Sequence, residues 1–223
     1  MEIEEKIGYA FINKALLEEA LTHKSYFHEH KESVSFYNER LEFLGDAVIG
    51  LVVVEHLYRL EDQYSESVLA KMKSYLVSEG VLADIATSIS LGNYVRLGRG
   101  EETTGGRKKK SILSDAFEAV IGGIFLDAGY EKTKETVLSF LKDKMDADLT
   151  TADVYDYKTE LQERSQLHYG VLPDYRLIRE DGAEHERIFT VAVFIKEKKL
   201  GVGTGKRKKE AESQAAKEAL EQL

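Results

Sequence analysis

The feature that most constrains this 223-residue chain is a change of hydrophobic periodicity near residue 150. Before it, apolar residues recur at helical spacing and strand-like alternation is scarce. After it, a helix precedes segments of strict alternation, such as 189–195, and an alanine-rich helix begins at Lys208. The pattern predicts an all-α domain at 1–148, a polar linker at 149–154 and a small α+β domain of order α-β-β-β-α at 155–223.

The absence of cysteine and the lack of any long apolar segment exclude several classes of protein. The chain has no cysteine, which excludes a disulfide framework, thiolate metal sites and a cysteine nucleophile. The N-terminus shows no basic segment followed by an apolar one, so secretion is not expected. The longest apolar run, 47–54, is far too short to span a bilayer. We therefore expect a cytoplasmic protein that does not associate with membranes.

The net charge of −9 is unevenly distributed. Residues 151–223 hold 13 basic and 14 acidic side chains, whereas the first 150 residues carry a balance of −8. A polyanion can still bind where basic side chains cluster locally, or where metal ions mask acidic groups.

Five carboxylates fall on two apolar helices. Glu39, Glu42 and Asp46 are spaced i, i+3 and i+7, which places them on one helical face among residues expected to be packed. Asp115 and Glu118 repeat the arrangement on a second helix. Isolated surface carboxylates are ordinary, but acids this close repel one another unless a cation compensates. Oxygen ligands without cysteine or a nearby histidine favour Mg²⁺, with Mn²⁺ as a substitute.

The segments that carry these acids resemble a known family. NERLEFLGDAVIG, at 38–50, resembles the signature of bacterial ribonuclease III, and SILSDAFEAVIGG, at 111–123, resembles that family's second acidic helix. The resemblance implies that the metal-binding carboxylates are Glu39, Asp46, Asp115 and Glu118. It implies that Glu118 is tied most directly to catalysis, and that Glu42 belongs to the catalytic set near the dimer interface and the substrate path.

Four other features of the helical domain receive less specific predictions. Phe43 matches the aromatic residue that inserts into the partner subunit in this family, the alternative being an ordinary core phenylalanine. Glu66 aligns with another acidic residue near the catalytic valley, or is a surface acid. We expect Asn38 to cap the signature helix in preference to a direct catalytic role. The glycine-rich charged loop 98–110 ends in Arg107–Lys110, which either contacts RNA or is simply solvated.

The C-terminal domain resembles the double-stranded-RNA-binding domain of these enzymes. Gln162 and Gln166 are spaced i, i+4, so both amides can reach into one shallow minor groove. His185 matches the histidine that enters a second minor groove from the loop between the first two strands. The family usually has proline where Ala183 stands, which predicts a less rigid loop.

A basic segment precedes the last helix. Lys206, Lys208 and Lys209 are predicted to meet RNA phosphates beside the helix N-terminus, where the glycines of 203–205 let the backbone turn closely. Lys208 and Lys209 match the lysine pair of the family, and Arg207 replaces a common serine.

Together the motifs predict a Mg²⁺-dependent endoribonuclease that cleaves double-stranded RNA as a homodimer. The resemblance implies 5′-phosphate and 3′-hydroxyl ends, two-nucleotide 3′ overhangs, and rRNA precursors and structured mRNAs as substrates. Two alternatives remain open: a protein that binds duplex RNA without cutting it, and a helical metal-dependent hydrolase acting on nucleotides. The intact acids argue against the first, and the RNA-binding domain against the second.

Overall fold

The computed structural model describes residues 2–59, 64–148, 157–182 and 187–223. It divides into two compact units, Met1–Asp62 with Met72–Asp146, and Gln63–Lys71 with Ala147–Leu223. The linker predicted at 149–154 lies outside the described residues. No helix within the described ranges combines the length and apolar character needed to cross a membrane.

The regular elements that the structure describes in the N-terminal part are helices, as predicted, apart from an isolated bridge between Thr22 and Arg96. Its helices are α1 Glu2–Ile7, α2 Lys14–Ala20, α3 Lys24–Glu29, α4 Glu39–Tyr58, α5 Glu66–Leu76, α6 Glu79–Ser88, α7 Arg99–Thr103 and α8 Lys110–Asp148. The segment predicted as a charged loop is more regular than expected, because it contains α7 and a 3₁₀ turn at Gly106–Lys108.

Helices α4 and α8 form the centre of the first unit. Buried side chains on α4 include Val48, Ile49, Val52 and Leu57, and those on α8 include Phe117, Val120, Ile121 and Ile124. The apolar stripe along 41–52, which includes Leu51, predicts a buried central helix. That prediction is wrong at Leu51, which is exposed because it faces away from this core. Glycine after the apolar residues of 117–125 predicts that the helix stops at Gly129. Gly129 instead interrupts α8 with a non-helical backbone (φ 77°, ψ −176°), a kink after which the helix resumes.

Two glycines bring the backbones of α4 and α8 into close approach. A Cβ added at Gly45 would lie 1.8 Å from the carbonyl oxygen of Glu118, and one added at Gly122 would lie 2.2 Å from that of Leu41. Any larger residue at either position would push the helices apart. This contact brings the acidic segments of the two helices together.

The second unit has the predicted α-β-β-β-α order. Its C-terminal segment, 157–223, comprises α9 Tyr157–Tyr169, β1 Asp174–Asp181, β2 Ile188–Ile195, β3 Lys198–Gly205 and α10 Lys208–Leu220. The strands form an antiparallel sheet in the order β1-β2-β3, with Tyr175 opposite Val193 and Val193 opposite Gly201. Its core joins Leu161 of α9 to Val193 and Ile195 of β2 and to the buried alanines of α10.

Small residues set the contact between β3 and α10. A Cβ at Gly201 would lie 2.3 Å from the carbonyl oxygen of Ala215, and one at Gly203 would lie 2.2 Å from that of Ala211. The glycines near the basic segment therefore allow close packing of helix on strand, and the expectation that they form a tight turn is wrong, since 203–205 belong to β3. This packing fixes the first turn of α10, which carries Lys208 and Lys209.

Candidate functional site

Three carboxylates from two helices converge in the first unit. One oxygen each of Glu42 on α4 and of Asp115 and Glu118 on α8 lie within 4.8 Å of one another. All three side chains are half-buried. The close approach at Gly45 and Gly122 is what places α4 against this part of α8.

The local electrostatics show the repulsion expected of such a group. Burial is the main cause that raises the pKa of Glu118 to about 8, and the carboxylates of Asp46, Asp115 and Glu42 raise this pKa further. Burial also raises the pKa of Glu42, with contributions from Asp115 and Glu39. The pKa of Asp115 is raised by burial and by Glu79, in the first turn of α6. Without a cation, this group of acids resists full ionisation.

The other two predicted metal ligands lie beside this group. Asp46 is exposed on α4 and close enough to Glu118 to raise its pKa. The Glu39 carboxylate is half-exposed, and its Oε1 accepts a hydrogen bond from Nζ of Lys24 at 3.0 Å. The structure therefore groups Glu42 with Asp115 and Glu118, although the sequence favoured Glu39 and Asp46 as partners of this pair. The assignment of individual ligands stays a prediction.

The residues present fit a hard divalent cation. The donor set consists of carboxylate oxygens alone, which is the chemistry that Mg²⁺ and Mn²⁺ prefer. The raised pKa of Glu118 shows that negative charge is under-compensated there. A bound cation would relieve this repulsion.

The capping role predicted for Asn38 is wrong. Its backbone is already helical (φ −70°, ψ −18°), and its side chain makes no capping hydrogen bond. An N-cap residue needs an extended backbone to turn its side chain onto the helix end. Asn38 is instead buried, its N–H donates to the carbonyl of Thr22 at 2.9 Å, and its Nδ2 has no hydrogen-bond partner among the described residues.

Phe43 is not a core residue, because 81% of it is exposed. Other apolar residues on the same face of α4 are exposed as well, namely Leu51, Val54 and Tyr58. A pocket of about 660 Å³ opens beside Phe43 and is lined by Leu16, Glu19, Arg40, Leu41, Leu44 and Leu126, together with Glu39. An exposed aromatic next to a pocket on one face is a feature that suits a twofold interface.

The remaining predictions for residues before 148 have mixed outcomes. Arg107 has a structural role: its guanidinium donates to the carbonyls of Gly92 and Val95 and forms a paired contact with Glu102. Lys108, Lys109 and Lys110 are all exposed, and Lys109 pairs with Glu101. Glu66 is exposed in the first turn of α5, and it is not one of the three converging acids.

In the second unit, the predicted RNA-binding side chains that the structure describes are all exposed. Gln162 and Gln166 lie one turn apart on α9, and Lys206, Lys208 and Lys209 lie at the start of α10. The Glu210 carboxylate accepts hydrogen bonds from the backbone N–H groups of Lys206 and Arg207, which orders the approach to the helix. His185 and Ala183 lie outside the described residues.

Sequence reasoning missed Lys24, Glu79, Gly45 and Gly122. Lys24 and Glu79 lie far from the acidic motifs in the chain, so their proximity required the fold. The two glycines carried a signal, since glycine inside an otherwise apolar helix is unfavourable without a packing reason.

Comparisons with known proteins agree with this architecture. Residues 13–145 match the family model described as Ribonuclease-III-like, and residues 157–223 match the double-stranded RNA binding motif. The chain is 44% identical over 224 residues to Ribonuclease 3 of Oceanobacillus iheyensis, a match that covers 99% of this chain and 96% of the relative. It is 45% identical over 225 residues to Ribonuclease 3 of a Nitratiruptor species, which covers 100% of this chain and 96% of that protein.

Solved structures give the same result for the fold. A nuclease domain of ribonuclease III from Campylobacter jejuni, described as flexible in a region involved in dimer formation, is 44% identical, with a TM-score of 0.59 over 64% of this chain and 95% of that one. Dicer from Pichia stipitis shares the fold at 23% identity, with a TM-score of 0.50 over 95% of each chain. With an acidic cluster in the first unit and an RNA-binding domain in the second, this chain belongs to the ribonuclease III family of endoribonucleases that act on double-stranded RNA.

Proposed function

We propose that this chain is a Mg²⁺-dependent ribonuclease III that cuts both strands of an RNA duplex and leaves 5′-phosphate and 3′-hydroxyl ends. The observation that carries the proposal is the convergence of Glu42, Asp115 and Glu118 within 4.8 Å, with the pKa of Glu118 raised to about 8. The proposed ligand set is Glu39, Asp46, Asp115 and Glu118, with Glu42 beside them. Mn²⁺ is expected to substitute for Mg²⁺, because both accept this oxygen donor set.

The proposed reaction is hydrolysis of a phosphodiester. The oxygen of a water molecule attacks phosphorus and gives up a proton, the bond from phosphorus to the 3′ oxygen breaks, and that oxygen takes up a proton. One water is thus divided between the 5′-phosphate and the 3′-hydroxyl. The chemistry that a bound divalent cation supplies is activation of the water and neutralisation of charge on the phosphate. The carboxylates of α4 and α8 would hold the cation in place.

The second domain is proposed to hold the duplex. Gln162 and Gln166 are exposed on one face of α9 and are suited to 2′-hydroxyls and base edges in a minor groove. Lys206, Lys208 and Lys209 are suited to phosphates at the N-terminus of α10. His185 is proposed to enter a second minor groove. Because duplex RNA is recognised mostly by shape, rRNA precursors and structured mRNAs in the cytoplasm are suitable substrates.

The active unit is proposed to be a twofold homodimer. A duplex has two antiparallel strands related by a twofold axis, and each chain supplies one group of acids. Phe43 is 81% exposed beside a pocket on the same subunit, so a second copy can insert its own Phe43 there. The C. jejuni relative is described as having a region involved in dimer formation. Two sites across a minor groove would leave a two-nucleotide 3′ overhang.

The test of this function is cleavage of a long RNA duplex by the purified protein, with and without Mg²⁺. Glu118→Gln keeps the size of the side chain and removes its charge, so we expect cleavage to fall by more than about 100-fold while duplex binding persists. The matched control is Glu135→Gln, an exposed acid later on α8 that pairs only with Lys132 among the contacts described for it. Duplex binding without cleavage by the wild-type protein, or cleavage by Glu118→Gln at the wild-type rate, would contradict the proposal.

A further inference from the structure

Lys24, the first residue of α3, places a positive charge beside the acidic cluster. Its Nζ lies 3.0 Å from Oε1 of Glu39. The carboxylates of Glu39, Glu42 and Asp115 all act on the ammonium and raise the pKa of Lys24. The chain thus supplies a cation of its own at the edge of the site.

The backbone around Lys24 is fixed next to the start of α4. The N–H of Asn38 donates to the carbonyl of Thr22 at 2.9 Å, and the N–H of His23 donates to the carbonyl of Arg96 at 3.1 Å. The His23 ring accepts from the N–H of Ser25 and so caps α3. Lys24 is therefore held within reach of Glu39 by main-chain contacts, whereas its side chain, 55% exposed, can turn into solvent.

The ion pair with Lys24 engages the Glu39 carboxylate, whereas the carboxylates of the three converging acids lie against one another. Glu42, Asp115 and Glu118 share a space within 4.8 Å, while Glu39 is directed to the ammonium. Two cations on the same carboxylate repel each other, so a divalent ion that takes Glu39 as a ligand must displace the ammonium or tolerate it nearby. Either outcome lowers the affinity of the site for the metal.

We propose that Lys24 is a positioning residue that acts as a built-in counterion. It holds Glu39 in the metal-free enzyme and releases it when a divalent cation binds, and this competition raises the concentration of metal that the enzyme requires. The inference rests on the proposed metal site. It concerns the affinity of the site for metal, and it assigns Lys24 no contact with RNA.

The test measures Mn²⁺ binding to the full chain without RNA, by following the signal of free Mn²⁺ in electron paramagnetic resonance titrations. Lys24→Met keeps the length of the side chain and removes the charge, and it should tighten Mn²⁺ binding about two- to fivefold, as expected for the loss of one exposed ion pair. Lys24→Arg keeps the charge and should bind Mn²⁺ as the wild type does. Lys31→Met, an exposed lysine just beyond α3, is the matched control.

A second pair of variants separates this mechanism from a general effect of charge. In a Glu39→Gln background, Lys24→Met should tighten Mn²⁺ binding much less, because the ion pair is already absent and only the longer-range effect of the ammonium charge is left. Unchanged or weaker Mn²⁺ binding by Lys24→Met, or the same gain in the Glu39→Gln background, would overturn the inference alone. If wild-type protein shows no Mn²⁺ binding that Glu118→Gln abolishes, the proposed metal site itself fails.

Discussion

Glu118 combines two unfavourable conditions at one residue, because its carboxyl is partly desolvated and faces other acids. Burial is the larger cause of its raised pKa of about 8, and Asp46, Asp115 and Glu42 add to it. A carboxyl with this pKa is mostly protonated near neutral pH unless a cation replaces the proton. Metal binding and proton release should therefore be coupled at this residue.

The coupling predicts how stability depends on pH. The pKa of Glu118 is about 8 in the folded chain, against an ordinary value of 4.5. Between these two pH values the folded protein therefore binds more protons than the unfolded chain does. Its free energy of unfolding without metal should fall as pH rises through the window, and Mg²⁺ should stabilise the protein more at about pH 8 than at about pH 5. Urea unfolding at both pH values, with and without Mg²⁺, measures this.

The matched variant for that prediction is Glu118→Gln, which cannot titrate. It should lose less stability with rising pH and gain less from Mg²⁺ than the wild type does. Equal stabilisation by Mg²⁺ at both pH values would show that Glu118 does not exchange its proton for the metal.

At the residue scale, sequence spacing identified the acids because i, i+3 and i+7 define a helical face. It could not identify Lys24, which meets Glu39 only because main-chain hydrogen bonds of the folded chain hold Thr22 against Asn38 and His23 against Arg96. The expectation for Asn38 failed because capping depends on a backbone angle that residue type does not determine.

Among the secondary-structure elements, the close contact between α4 and α8 determines how near the acidic side chains of the site lie to one another. A Cβ at Gly122 would lie 2.2 Å from the carbonyl oxygen of Leu41, so Gly122→Ala must separate the helices that carry the acids. We expect a loss of about 1–3 kcal/mol in the free energy of unfolding, together with weaker Mn²⁺ binding. Urea unfolding and Mn²⁺ titration of the full chain measure these two effects.

Gly80→Ala is the control, because Gly80 lies in α6 with no atom within 4 Å of an added Cβ. This variant should be stabilised by about 0.5–1 kcal/mol, since alanine favours the helix. If both alanine variants behave alike, close helix approach is not what forms the site.

Periodicity predicted the elements well where one face of a helix or strand is buried. The helical N-terminal part and the α-β-β-β-α order of the second unit both follow from the apolar pattern. The pattern failed at Leu51, which is apolar and yet exposed, because residue type alone does not determine which face of a helix is turned to the core. It also missed α7, a helix too short to show a period.

At the scale of the whole molecule, binding and cleavage are expected to belong to different domains. The double variant Lys208→Ala with Lys209→Ala should weaken duplex binding. It should also make the slope of log affinity against log salt concentration shallower by about two, since each lysine neutralises one phosphate. Cleavage at low salt and saturating enzyme should stay near the wild-type rate, because the acids are unchanged. Binding titrations at several salt concentrations measure the slope.

The control for the lysine pair is Lys198→Ala with Lys199→Ala, two exposed residues at the start of β3 in the same domain. That pair should change affinity and slope much less. An equal effect of the two pairs would mean that the domain attracts RNA by its overall charge and not through the N-terminus of α10.

The proposed twofold dimer makes a prediction about how the two strands of a duplex are cut. If each subunit contributes one group of acids to one strand, a dimer with a single intact site should break only that strand. The most direct measurement mixes wild-type chains with an excess of Glu118→Gln chains and maps the cleavage products of a long duplex. We predict nicks in one strand from the mixed dimers; double-strand breaks from mixed dimers would contradict the account.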